Sequence, residues 1–218
     1  MSRRLITILA VEDDPNIFED LDKMLDKFFN ALHDDFPYNF EILFTDNLRD
    51  ATNDLQKATW AITDVCFAEV PNGDATQPYG MQIVRKCVCL RKPVVWVTST
   101  LRHGLLTNAA NDWGREHGIE MFVCPQNELV DDEAPHKPWK EAFFGLIITA
   151  IGLELGEVVY HSDGVIRKKD GNKGFVLFSK QCKTMTDRWL DTKTTVDFLR
   201  REPILARMLD MGFPRQLS

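Results

Sequence analysis

Two adjacent acids, Glu12 and Asp13, directly follow the apolar run Leu5–Val11, and a lone Asp64 closes the run Trp60–Thr63. A hydroxyl residue, Thr98, closes a third run, Val94–Val97. Each run has the length and the β-branched or aromatic content of a strand. If the three runs are parallel neighbours, their four terminal side chains gather at one edge of a sheet, where open parallel sheets bind ligands. Three carboxylates and a hydroxyl make an oxygen-rich pocket suited to a hard divalent cation such as Mg2+. Clustered carboxylates also repel one another, so the cluster itself calls for a cation.

The elements that must position these residues follow from hydrophobic spacing. After the first run, Pro15 and the apolar positions Ile17, Leu21, Met24, Leu25, Phe28, Phe29 and Leu32 predict a helix capped by Asp13 or Asp14. Phe40–Phe44 reads as a strand, and Asp46 is placed to cap a helix carrying Leu48, Ala51 and Leu55. The Asp64 strand is followed by a long loop with Pro71, Asn72-Gly73 and Pro78, then a helix over Met81–Leu90 with Ile83, Val84 and Cys87 inward. Pro93 opens the Thr98 strand, and a helix from about Leu105 stops at His117-Gly118. A short strand over Ile119–Val123 and a strongly apolar helix over Trp139–Leu155 complete five β-α repeats. This alternation predicts an α/β fold with a five-stranded parallel sheet covered by helices on both faces.

Past Gly156 the pattern changes. Glu157–His161 and Val165–Ile166 flank Ser162-Asp163-Gly164, which predicts a small antiparallel hairpin, and Thr195–Met211 predicts one or two helices. The chain therefore divides, on sequence, into a body over 1–155 and a small α+β extension over 156–218. Charge divides in the same way. Residues 1–155 hold 14 Lys+Arg and 25 Asp+Glu, giving 14 − 25 = −11, whereas residues 156–218 hold 12 and 8, giving +4, and together they make the −7 of the chain.

Composition narrows the function classes. Hydrophobic content of 44% with 27% charged residues is that of a globular protein, and no run reaches the roughly 20 apolar residues of a bilayer span. The apolar stretch after Arg3-Arg4 runs into acids rather than a cleavage site, and the five cysteines have no framework spacing. Both features predict a cytoplasmic protein with free thiols. No Walker loop, dinucleotide-binding glycine fingerprint or Ser-His-Asp arrangement is present. The five histidines show no ligand spacing, and the basic tail lacks the paired helices of a helix-turn-helix, so nucleic acid is not the expected partner.

Over residues 5–155 the chain resembles receiver domains of the two-component response-regulator family. The resemblance rests on Val11-Glu12-Asp13-Asp14 after strand one, Asp64 after strand three and Thr98-Ser99 after strand four. It implies a flavodoxin-like fold, with Glu12 and Asp13 as Mg2+ ligands and Asp64 as both metal ligand and phosphoacceptor. The backbone carbonyl of Cys66 would be a further ligand, and Thr98 the switch hydroxyl. It also implies a histidine kinase or phosphotransfer protein as donor and a downstream protein, with a second copy of the chain among the candidates. It implies no catalysis on an external substrate.

The sequence departs from that family after strand five. Members carry a Lys directly before a Pro, and the matching stretch Phe122-Val123-Cys124-Pro125 puts Cys124 in that place. Lys137 is the next lysine, beyond an acidic loop. Losing the cation removes a charge-assisted contact to a phosphate. This leaves an alternative expectation: a pseudo-receiver that keeps the fold, is not phosphorylated and serves as a protein-interaction module. The loop from Cys66 to Gly80 is also longer than the family's usual turn and is placed to cover the pocket.

Overall fold

The computed structural model describes residues 4–19, 21, 23, 38–98, 105–119, 121–123, 137–155, 158–160 and 166–168. The expectations for Leu32, Cys124, the tail helices and the remaining cysteine, Cys182, lie outside the described residues. Five strands form one parallel sheet: β1 (Arg4–Val11), β2 (Tyr38–Thr45), β3 (Trp60–Asp64), β4 (Val94–Thr98) and β5 (Met121–Val123). Their order is β2-β1-β3-β4-β5. This is the α/β, flavodoxin-like arrangement expected from the β-α alternation. The order reverses between β1 and β3, and the carboxyl ends of those two strands frame the switch-point crevice where such sheets bind ligands.

β1 is buried on both faces from Ile8 to Val11, as are β3 and β4 over their whole length. Continuous apolar runs suit strands covered by helices on both sides. Helix α1 opens at residues 15–19. It starts as the sequence predicts: Asp14 Oδ1 accepts from the Asn16 N–H at 2.9 Å, and Pro15 takes the first helical position. Helix α2 (Leu48–Asp54) is capped differently from expectation. Asn47, not Asp46, is the N-cap, accepting from the Asp50 N–H at 3.0 Å, while Asp46 accepts from the Asn47 amide at 2.6 Å.

Helix α3 (Gly80–Leu90) buries Ile83, Val84 and Cys87, as its apolar spacing predicts. Helix α4 (Leu105–His117) ends at Gly118, whose φ of 70° is the left-handed conformation that a glycine stop supplies. Helix α5 (Trp139–Leu155) lies against β3, β4 and β5. There Phe143 meets Phe40 with ring centroids 6.2 Å apart. After α5, β6 (Val158–Tyr160) and β7 (Ile166–Lys168) form a separate antiparallel pair. That pair agrees with the hairpin read from the sequence. Among the described residues no helix is long and apolar enough to cross a membrane.

Candidate metal and phosphoacceptor centre

The sheet brings the three predicted carboxylates together. Glu12 and Asp13 directly follow β1, Asp64 ends β3, and β1 and β3 are hydrogen-bonded neighbours. One carboxylate oxygen from each of Glu12, Asp13 and Asp64 lies within 4.8 Å of the others. Glu12 is wholly buried and Asp64 nearly so, whereas Asp13 is half-buried. Backbone donors fix two of the three. Glu12 Oε1 accepts from the N–H groups of Asp13 and Asp14, both at 3.1 Å. Asp64 Oδ1 accepts from the Val65 N–H at 2.6 Å.

The cation of the centre is the residue that sequence matching placed elsewhere. Lys137 Nζ donates to Glu12 Oε1 at 2.7 Å, to Glu12 Oε2 at 2.8 Å and to Asp64 Oδ2 at 2.5 Å. Its side chain is 13% exposed, so these are buried, charge-assisted contacts. The expectation that the centre lacks a lysine is thus corrected. A signal for it was present in the sequence: Lys137 directly precedes Pro138, and α5 starts at Trp139. The Lys-Pro pair sits at the start of the helix, 14 residues past the end of β5 (137 − 123), instead of at the end of the strand.

Burial and mutual repulsion set the protonation of the group. Burial, reinforced by the Asp64 charge, pushes the Glu12 carboxyl up to about 8, and Lys137 only partly opposes this. Asp64 is likewise raised by burial, against the pull of Lys137 and the Val65 N–H. Burial works against the Lys137 ammonium, but the charges of Asp64 and Glu12 outweigh it and hold its pKa above the ordinary lysine value. A cation is balanced against the group in its fully ionised form. Three carboxylates and one ammonium sum to −3 + 1 = −2, which a single divalent cation cancels. The all-oxygen donor set fits Mg2+ rather than a soft metal.

Thr98 and Cys66 occupy the same edge. Thr98 is the buried last residue of β4, one position beyond Val97, the register partner of Asp64. Cys66 follows Val65 and is half-buried. Burial, with the Asp64 charge beside it, raises its thiol to about 11, so the sulfur stays protonated and is a poor soft-metal or redox group. The carboxylate cluster, among the described residues, does not include it.

The loop after β3 is anchored away from its own strand. Asn47 and Ala68 form a parallel bridge, with the Leu48 N–H donating to the Ala68 carbonyl at 2.9 Å and the Arg49 N–H to the Glu69 carbonyl at 3.2 Å. β1 lies between β2 and β3, so this bridge joins the segments that follow the two strands flanking β1. Phe67, in the same segment, is fully buried. The segment is thus tied to the start of α2.

Gly80 sets how closely α3 approaches the Asp64–Val65 backbone. A Cβ at this position would overlap the Asp64 carbonyl oxygen and lie 2.9 Å from Val65 Cα, while the Gly80 N–H donates to the Val65 carbonyl at 3.0 Å. Gly80→Ala is therefore expected to push the Asp64–Val65 backbone aside, at a cost of about 1–3 kcal/mol. Thermal melts and Mg2+ titrations should show a lower Tm together with weaker metal binding. An unchanged pair of values would mean that the backbone contact does not position Asp64.

Comparison with known proteins adds a structural likeness only. Among solved structures the chain is similar to an RcsB response regulator of Salmonella typhimurium, described for its conformational dynamism in DNA interaction, with a TM-score of 0.37 and 15% identity. The match covers 58% of this chain and 53% of that one, so it spans about half the length of that protein. No protein-family model and no curated protein matches.

Proposed function

We propose that the chain is a signalling receiver in which Asp64 accepts a phosphoryl group with Mg2+ held by Glu12, Asp13, Asp64 and the Cys66 carbonyl. The observation that carries this reading is Lys137 bonded to both Asp64 and Glu12. Three carboxylates alone would fit a simple cation site. Adding a buried ammonium against the Asp64 oxygen supplies a fixed counter-charge where a phosphoryl group on that oxygen would sit.

In this reading the donor is a phosphohistidine of a kinase or phosphotransfer protein. An Asp64 carboxylate oxygen forms the new P–O bond as the donor P–N bond breaks, and the imidazole leaves with the bonding electron pair and takes up a proton. The bound Mg2+ would supply neutralisation of charge on the transferring oxygens. The Val65 N–H holds Asp64 Oδ1, which orients the carboxylate. Lys137 moves its hydrogen bond from the carboxylate to the phosphoryl oxygens, and Thr98, on the neighbouring strand, is the hydroxyl that follows it. The chain itself transforms no external substrate. Its output is a change in surface read by a protein partner in the cytoplasm.

The pseudo-receiver alternative rests on the lack of a lysine in the centre, and the contacts of Lys137 with Glu12 and Asp64 weigh against that premise. The two readings separate on incubation with a small-molecule phosphodonor, followed by intact-mass measurement. The receiver reading expects one added phosphoryl group that requires Mg2+ and disappears in Asp64→Ala. No addition at any donor concentration would favour the unphosphorylated interaction module.

A further inference from the structure

Between Asp74 and Asp112 the chain contains no acid but five cations, Arg85, Lys86, Arg91, Lys92 and Arg102. The rest of residues 1–155 therefore sums to −11 − 5 = −16. Helix α3 lies inside this stretch. It buries Gly80, Ile83, Val84 and Cys87 and leaves Gln82, Arg85, Lys86 and Cys89 exposed. Those four recur at spacings of three and four residues, so they share one outward face. Leu90, 53% exposed, and the exposed Arg91 follow at the end of the helix.

Neutral groups hold the cations of this face. Arg85 lies over the Trp113 ring of α4, its guanidinium carbon 5.3 Å from the centroid, and Lys86 Nζ donates to Thr52 Oγ1 of α2 at 3.0 Å. Among the described residues no carboxylate pairs with Arg85, Lys86 or Arg91. Elsewhere Arg4 pairs with Glu154, Lys23 with Glu19 and Lys57 with Asp54. Ordered cations without a counter-charge, on a body that is otherwise strongly acidic, leave a local positive field to act on a ligand. The two anchors also lower the side-chain entropy that binding would cost.

Charge and shape select the kind of ligand. A nucleic acid would meet the cations of α3 but also the −16 of the surrounding body, which repels a long polyanion. A short acidic segment covers the basic face alone, and an apolar side chain within it has Leu90 to meet.

We propose that the outward face of α3 is a docking surface for an acidic, leucine-bearing segment of a partner protein. Carboxylates of that segment pair with Arg85, Lys86 and Arg91, and its apolar side chain covers Leu90. The surface rests on charge and exposure and does not depend on phosphorylation of Asp64.

The test uses the full chain and a fluorescein-labelled peptide of glutamates around a Leu-Leu pair. Fluorescence anisotropy should show binding that weakens at least about tenfold between about 20 mM and about 200 mM salt. Amide shifts on adding the peptide should concentrate at residues 82–91. The double variant Arg85→Glu, Lys86→Glu should weaken binding at least about tenfold, because both side chains are exposed and become repulsive. The charge-matched control Lys23→Glu, Lys57→Glu should weaken it by less than about threefold, which separates the local face from net charge. Absence of binding at the lower salt, equal losses in the two double variants, or shifts centred away from α3 would overturn the proposal. So would tighter binding of an oligothymidylate of equal charge, which would assign the face to nucleic acid. Light scattering at the lower salt should give a monomer, and a dimer dissolved by Arg85→Glu, Lys86→Glu would assign the face to a second copy instead.

Discussion

Lys137→Ala should destabilise the metal-free protein by about 3 kcal/mol and make its stability depend on Mg2+. Removing one member of a buried ion group leaves the other charges without compensation, which typically costs about 3–5 kcal/mol. Here the remaining members are Glu12 and Asp64, both buried and facing the place that the ammonium left. Part of the cost is relieved by protonation of Glu12, whose carboxyl is already raised by burial and by Asp64. The same substitution should tighten Mg2+ binding by roughly tenfold, because a nearby positive charge no longer opposes the cation. Denaturant melts with and without Mg2+ check both effects. A variant with unchanged stability and unchanged metal affinity would show that Lys137 does not act on the carboxylates in solution.

The second large effect is in pH. The Glu12 carboxyl sits at about 8 in the folded protein against an ordinary 4.5, so between these values the folded state holds a proton that the unfolded state has released. Stability of the metal-free protein must then fall as pH rises through this window, and Asp64, also raised, adds to the fall. Mg2+ requires the ionised carboxylate, so its stabilising effect has the opposite trend. The rise in Tm on adding saturating Mg2+ should be small near pH 6 and grow by several degrees towards pH 8.5. Glu12→Gln should flatten both dependences. A Mg2+ effect that is equal at pH 6 and pH 8.5 would remove Glu12 from the ligand set.

The two predictions rest on residues that differ in how readily the sequence disclosed them. Glu12, Asp13, Asp64 and Thr98 were legible because each closes a continuous apolar run, and a parallel sheet places the ends of such runs at one edge. The strand order adds the physical reason for the site: β1 and β3 are paired neighbours whose onward connections lead to opposite sides of the pair, and the acids stand at the carboxyl ends of those two strands. Lys137 was not legible by counting from β5, because the length of a loop is set by neither strand nor helix. Its position is fixed by the start of α5, where Pro138 suits the first turn. Cys124-Pro125, nearer the strand, offered a false match.

Local chemistry was read less well than periodicity. Asp46 and Asn47 are both good caps, and only the bend of the chain after β2 decides that Asn47 takes the role. The segment after Asp64 was read as a loop from its Pro and Gly content. Its bridge to Asn47 depends on β2 and β3 being brought to either side of β1, which no local pattern encodes.

Chemical trapping shows whether Asp64 itself carries the phosphoryl group. After incubation with a phosphodonor and Mg2+, borohydride reduces an acyl phosphate on aspartate to homoserine, and peptide mapping then locates the altered residue. Homoserine is expected at position 64 alone, and none when Mg2+ is chelated. Homoserine at another aspartate, or none at 64 in protein whose mass shows an added phosphoryl group, would contradict it.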